Sequence, residues 1–373
     1  MTNMMDYLLW RGDLPLAVAP FGAIDAMILA RAAYLPLERV MKPSDNLTFS
    51  QAESALTAHT SAFARPQDAE LLHALAQSQR FGSCTICHCH SILDRDTQTQ
   101  FAAITIRLHP NVLFLAYRGT DDSVIGWKED FNMSFAFPVP SQKLALTYAE
   151  QVAEDYAGET LILGGHSKGG NLAVYAASFC GETLQSRISE VYNFDGPGFD
   201  RRVMQTPSYL SLSERIHTYV PQSSIIGQLL EHEEPYTIVH SEESGFTQHD
   251  LYTWALHGPE FVLDERISQQ GVFADTTLRS WIESMDDAQR ERFFDAVYQL
   301  AVDSNIQSVS FIREHWVESS RQVFKTIRKM DEQSRKNITF ALKLLFRSAK
   351  QAMVVIRGNG AEEVSDGKQS LEN

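Results

Sequence analysis

Through the middle of the chain, short apolar runs alternate with amphipathic ones. Residues 104–108, 112–117, 160–164, 191–195, 216–220 and 236–240 each hold a few consecutive apolar side chains between turn-formers, which predicts buried strands. Residues 141–157 and 168–180 lie between them with apolar positions at helical spacing, among them Leu172, Ala173, Tyr175, Ala176 and Phe179. His109-Pro110-Asn111 is short enough to close a hairpin between the first two strands. The later strands are separated by helices, which predicts a parallel sheet with crossovers. Upstream, 1–60 reads as helical, with Phe21, Ile24, Ile28, Leu29, Ala32 and Leu35 at helical spacing. From about 275 the strand pattern stops. Trp281, Ile282 and Met285, then Phe293, Phe294, Val297 and Leu300, then Ile338, Ala341, Leu342, Leu345, Ala349 and Met353 mark amphipathic helices. The class is α/β: an antiparallel start, then a mostly parallel sheet with flanking helices, and a C-terminal helical extension. The expected units are a body over 1–265, the extension over 275–357 and a disordered polar tail over 358–373.

The strand at 160–164 meets its helix through Gly165-His166-Ser167-Lys168-Gly169, which fits the G-x-S-x-G nucleophile elbow. The serine of such a turn is strained, and side chains two residues before and after it would collide; glycine at both places removes the collision. The plainer alternative is a glycine-rich turn with an ordinary serine. The strand-like run before and the helical run after favour the elbow.

A nucleophilic serine needs a base, an orienting acid and oxyanion donors, and in this fold they follow the order Ser, acid, His. Downstream of Ser167 the histidines are His217, His232, His240, His249 and His257. His249 sits on a loop after the last predicted strand, where it can reach over the serine, and is the expected base. Asp195 ends a strand before Gly196-Pro197-Gly198, at the carboxyl edge where parallel sheets carry functional groups, and is the expected acid. Capping that turn is its plainer role; Glu231 and Asp250 are the next acids in line. The strand 112–117 ends in Arg118-Gly119-Thr120, so the N–H groups of Thr120 and Lys168 form the expected oxyanion pair.

Composition narrows the surroundings. The 373 residues are 44% hydrophobic and carry a formal net charge of −15, which speaks against general nucleic-acid affinity. The first residues lack a basic n-region before an apolar stretch, and no run of 18 apolar residues occurs, so a cytoplasmic location is expected. Charge is uneven, however: 321–357 holds ten basic and two acidic residues. Such a face suits an anionic lipid surface or the acidic body of the protein itself, and a solvated face is the plain reading. Of the four cysteines, Cys84, Cys87 and Cys89 lie with His88 and His90 in half of a zinc-site pattern. A second half is missing, and the alternation there reads as a strand before a polar turn, so no metal and no cofactor is expected.

These residues together resemble the fungal-type class 3 lipases, through Tyr117-Arg118-Gly119-Thr120 and Gly165-His166-Ser167-Lys168-Gly169-Gly170. The chain more closely resembles the Mbeg-like proteins, a bacterial group of unassigned function within the α/β-hydrolase superfamily. That likeness rests on Asp6-Tyr7-Leu8-Leu9-Trp10-Arg11-Gly12-Asp13, on Gly126-Trp127-Lys128-Glu129-Asp130-Phe131-Asn132 after Arg118-Gly119-Thr120-Asp121, and on the elbow. It continues through Asn193-Phe194-Asp195-Gly196-Pro197-Gly198, Val220-Pro221-Gln222-Ser223-Ser224 and Gln248-His249-Asp250-Leu251-Tyr252-Thr253-Trp254, and covers about 1–265. Two departures from the lipase pattern stand out. Lys168 replaces an apolar residue, and 216–224 has no aspartate where those lipases carry their acid. Ser223 and Ser224 stand near that place, and Asp195 would serve from the preceding strand, as the acid does in pancreatic lipases.

The resemblance implies a serine hydrolase with a Ser167-His249-Asp195 triad, acting through an acyl-enzyme on a small-molecule ester, thioester or lipid. Its rival is a catalytically silent hydrolase-fold protein that binds a partner or lipid. The basic C-terminal helix adds peripheral membrane contact as an expectation.

Overall fold

The computed structural model of the chain describes residues 2–43, 45–121, 123–227, 234–304, 306 and 316–369. Eight strands form one sheet in chain order: β1 (Leu47–Thr48), β2 (Thr85–Asp94), β3 (Thr99–His109), β4 (Val112–Tyr117), β5 (Thr160–His166), β6 (Ile188–Phe194), β7 (Ile216–Pro221) and β8 (Tyr236–Val239). β1 to β4 pair antiparallel and β4 to β8 pair parallel. The β3–β4 turn closes tightly because Asn111 takes a left-handed φ of 70°.

Helices α1 (Met4–Arg11), α2 (Ala23–Ala32), α3 (Phe49–Leu56) and α4 (Pro66–Gln77) precede the long strands. Helices α5 (Val124–Asn132) and α6 (Pro140–Asp155) join β4 to β5, α7 (Lys168–Phe179) and α8 (Gly181–Gln185) join β5 to β6, and α9 (Arg201–Met204) and α10 (Pro207–Leu210) join β6 to β7. Each parallel strand is added on the same side of the last, so right-handed crossovers bring their helices to one face. There α6 and α7 cover Leu113, Leu115, Leu161, Leu163 and Val191. The opposite face, with Ile104, Ile106, Phe114, Ala116 and Ile162, is covered by the N-terminal helices. The expected fold, a mostly parallel α/β-hydrolase sheet with helices on both faces, is the one observed.

The C-terminal helices are α11 (Gln269–Glu283), α12 (Asp287–Asp303), α13 (Trp316–Ile327) and α14 (Glu332–Gln369). They build their own small core around Trp281, Met285, Phe293, Phe294 and Ala341. The Trp281 indole N–H donates to the Ala341 carbonyl at 2.8 Å. The extension starts earlier than the expected 275, because Ser268 caps α11 by accepting from Gly271 N–H. α14 runs past the expected boundary at 358, since a helix once formed gains a backbone bond with each added residue. The extension docks on α5 through α12. Phe294 stacks on Phe131 with ring centroids 4.4 Å apart, and Lys128 Nζ meets Asp295 Oδ1 at 2.8 Å. No helix among the described residues is long and apolar enough to cross a membrane.

Candidate active site

Ser167 follows the last residue of β5 with φ 59° and ψ −134°, outside the regions open to ordinary side chains. Its N–H is fixed by the Phe194 carbonyl at 2.9 Å. A Cβ on Gly165 would lie 2.3 Å from the Gly169 carbonyl, and one on Gly169 would lie 2.1 Å from the Tyr117 carbonyl. Both glycines are therefore steric requirements of the turn.

β6 ends one residue before Asp195, which also has a positive φ, 51°. The Asp195 carboxylate is buried and receives three donors. The Ser224 hydroxyl and the Gly227 N–H (3.1 Å) bind Oδ1, and His249 Nδ1 meets Oδ2 at 2.6 Å. Ser224 thus donates to the Asp195 carboxylate from beyond the end of the neighbouring strand β7. A hydrogen on Nδ1 toward the carboxylate leaves His249 Nε2 free to take a proton. The loop bearing His249 is held by Gln248, whose side chain accepts from Ser223 N–H and whose carbonyl accepts from the Trp254 indole, each at 2.9 Å. Among the described residues Ser167 Oγ has no hydrogen-bond partner, so its hydroxyl remains uncommitted. Asp250 is engaged by Arg65 and caps the turn at Tyr252, away from an orienting role. Glu231 and His232 lie outside the described residues.

His166 joins the serine turn to the histidine loop. Its Nε2 donates to the His249 carbonyl at 2.7 Å, its Nδ1 faces the Tyr34 hydroxyl at 3.0 Å, and the two imidazole centroids are 4.4 Å apart. Burial, followed by His249 and Arg31, pushes the His166 pKa well below its usual value, so the ring stays neutral and keeps these two roles. Tyr34 also crowds the neighbouring loop, since a Cβ on Gly119 would lie 2.3 Å from its oxygen, and the Arg31 guanidinium covers its ring at 4.5 Å. Arg31 in turn pairs with buried Asp68 at 2.7 and 2.9 Å, and the Tyr252 hydroxyl donates to Asp68 at 2.9 Å. The sequence reading missed Tyr34, Arg31 and Asp68. The available signal was an arginine within the apolar stretch of α2.

Thr120 and Lys168 are the expected oxyanion donors. Gly119 comes so close to the serine turn that a Cβ there would be 3.0 Å from Ser167 Cβ. Neither the Thr120 nor the Lys168 backbone N–H is taken by a carbonyl among the described residues, as expected for a loop end and a first helical turn. The Thr120 hydroxyl donates to Asp130. The Lys168 ammonium is fully buried and donates to the Gln100 carbonyl and side chain at 2.8 Å and to Glu129 at 3.0 Å. Glu129 also accepts from the N–H groups of Gln100 and Ser141. Four consecutive residues of α5 therefore face two ways. Lys128 and Phe131 hold the C-terminal extension, while Glu129 and Asp130 hold the serine turn and the Thr120 loop.

The thiols of the 84–90 segment are divided between the faces of the sheet. A bulge between Ile86 and His88 shifts the register, so Cys84 and Cys89 enter one core and Cys87 the other. Cys87 donates to the Thr105 carbonyl at 3.6 Å, and burial pushes the Cys84 and Cys89 thiols up to about 12. The bulge thus separates Cys87 from Cys89, which plain alternation would leave on one face. Among the described residues no three metal-binding side chains converge.

A family model described as Mbeg1-like matches residues 75–299. No curated protein matches the chain in sequence. Among solved structures, the Rhizomucor miehei lipase in its propeptide complex is 16% identical, with 57% of this chain and 66% of that chain covered and a TM-score of 0.37. Lipase II from Rhizopus niveus is 14% identical, over 64% of this chain and 81% of that chain, with a TM-score of 0.37. The Lip2 lipase of Yarrowia lipolytica is 13% identical, over 58% and 77%, with a TM-score of 0.34.

Proposed function

The chain belongs to the Mbeg1-like family, and on the geometry of its site we propose that it is a serine hydrolase of esters or thioesters, lipid esters among them. The observation that carries this reading is the 2.6 Å contact of His249 Nδ1 with buried Asp195, beside a serine held at φ 59°. In this reading Ser167 Oγ attacks the acyl carbon while His249 Nε2 takes its proton. Asp195 keeps the imidazole in the productive tautomer and stabilises the imidazolium. The N–H groups of Thr120 and Lys168 receive the developing oxyanion, each worth about 10²–10³ in rate. Collapse of the intermediate expels an alkoxide or thiolate, which takes the proton from His249. Water repeats the sequence to release the acid and restore Ser167.

A fluorophosphonate probe tests the nucleophile. It should add once to the protein at Ser167 and not at all to Ser167→Ala, and a panel of esters with short and long acyl chains should be hydrolysed by the unmodified protein alone. Absence of both labelling and turnover would overturn the proposal in favour of a silent hydrolase-fold module that binds a partner or lipid.

A further inference from the structure

We infer that the outward face of α14 is a docking surface for an anionic lipid bilayer. The helix packs on α11 and α12 through Ile338, Ala341, Leu345 and Ser348, the last facing Ser280 at 3.2 Å. At 100° per residue, Lys336, Lys343, Arg347 and Lys350 fall together on the opposite side, and all four are exposed. The basic face is therefore turned away from the acidic body, in contrast to internal docking through those charges. Lys336 meets Glu332 of its own helix at 2.6 Å. Lys343, Arg347 and Lys350 have no acidic side chain within 4 Å among the described residues. Between 333 and 353 there are five basic residues and no acidic one, although the whole chain carries −15.

Charge alone would fit any polyanion; the apolar residues beside it favour a bilayer. Phe346 is 75% exposed, and Leu342 and Met353 lie exposed on the same flank, with Phe340 on the other. Rings and thioethers bordering a row of lysines suit the boundary between headgroups and acyl chains, where long basic side chains extend to the phosphates while apolar ones sink below them. A duplex nucleic acid offers phosphate without that apolar layer. The inference rests on this surface alone and is independent of the proposed reaction.

Flotation of the full-length Ser167→Ala protein with phosphatidylcholine vesicles, with and without about 30% phosphatidylglycerol, tests it. Binding should require the anionic lipid and fall steeply as salt is raised. Replacing Lys343, Arg347 and Lys350 together with Gln should weaken it roughly a hundredfold, at about fivefold per charge. Phe346→Ser should weaken it while keeping the salt dependence. These residues are exposed, so an unchanged melting temperature is expected in each variant. The inference is overturned if the protein stays off anionic vesicles, if the triple variant floats as well as the parent, or if a DNA duplex at matched phosphate concentration binds more tightly than the vesicles.

Discussion

Lys168 Nζ lies 3.0 Å from Glu129 Oε2, with both side chains sealed from water. The residue next to the nucleophile is thereby tied to the helix that follows the Thr120 loop. Lys168→Ala strands a buried carboxylate and should cost about 3–5 kcal/mol in urea unfolding. Lys168→Met combined with Glu129→Gln removes both charges and should recover most of that loss. Equal losses in the single and double variants would show that the pair is not coupled.

Asp195→Asn should keep the fold yet lower kcat by about 10⁴, since the imidazole loses the partner that fixes its tautomer. Ser224→Ala removes one of three donors to the same carboxylate and should cost far less. Unchanged turnover in Asp195→Asn would take this residue out of the mechanism.

His166→Phe keeps a ring in place but loses the bonds to Tyr34 and to the His249 carbonyl. A histidine loop released by even about 1 Å can cost roughly a hundredfold in kcat. KM should change little, and the pH–rate profile should keep its midpoint, because His166 stays uncharged. A displaced midpoint would mean that His166 itself carries the proton.

Burial holds the Asp130 carboxyl at about 6, above its ordinary 3.8, against the opposing pull of Lys168. A group that binds its proton more tightly when folded adds stability below its unfolded value and loses it as pH rises through the folded one. Asp130→Asn should therefore raise the melting temperature more at pH 7.5 than at pH 4.5, since only at the higher pH does the parent keep a charged group there. Equal shifts at both pH values would contradict the raised value.

The central strands β4, β5 and β6 were legible because each is a short, mostly buried apolar run, a pattern that survives without knowledge of partners. Chain order together with their places at a strand end and on the loop after the last predicted strand singled out Asp195 and His249, which the structure brings together. Lys168 was visible as an anomaly, but its partner lies 39 residues upstream on a helix whose orientation no local pattern fixes. Tyr34 was hidden for the same reason: it meets His166 across 132 residues, and only the packing of α2 on the sheet makes the contact. The strand over the cysteine cluster was legible from its alternation, but the bulge at Ile86 that divides Cys87 from Cys89 leaves no mark in linear spacing.

One face of the sheet is covered by helices made long before the strands they cover. At about 5–20 residues per second, roughly 160 residues of synthesis between the end of α2 and the end of β6 take on the order of ten to thirty seconds. During that interval Met27, Ile28 and Leu29, fully buried in the finished molecule, lack β5 and β6, on which α2 also packs. Ribosome-bound chains stopped near residue 150 should be cut by protease within α2, and chains stopped past about 240 should resist. Protection at the shorter length would mean that the helices find another shelter first. Tyr34 is made 132 residues before its partner His166, so the completed site also reports that the nascent chain has closed.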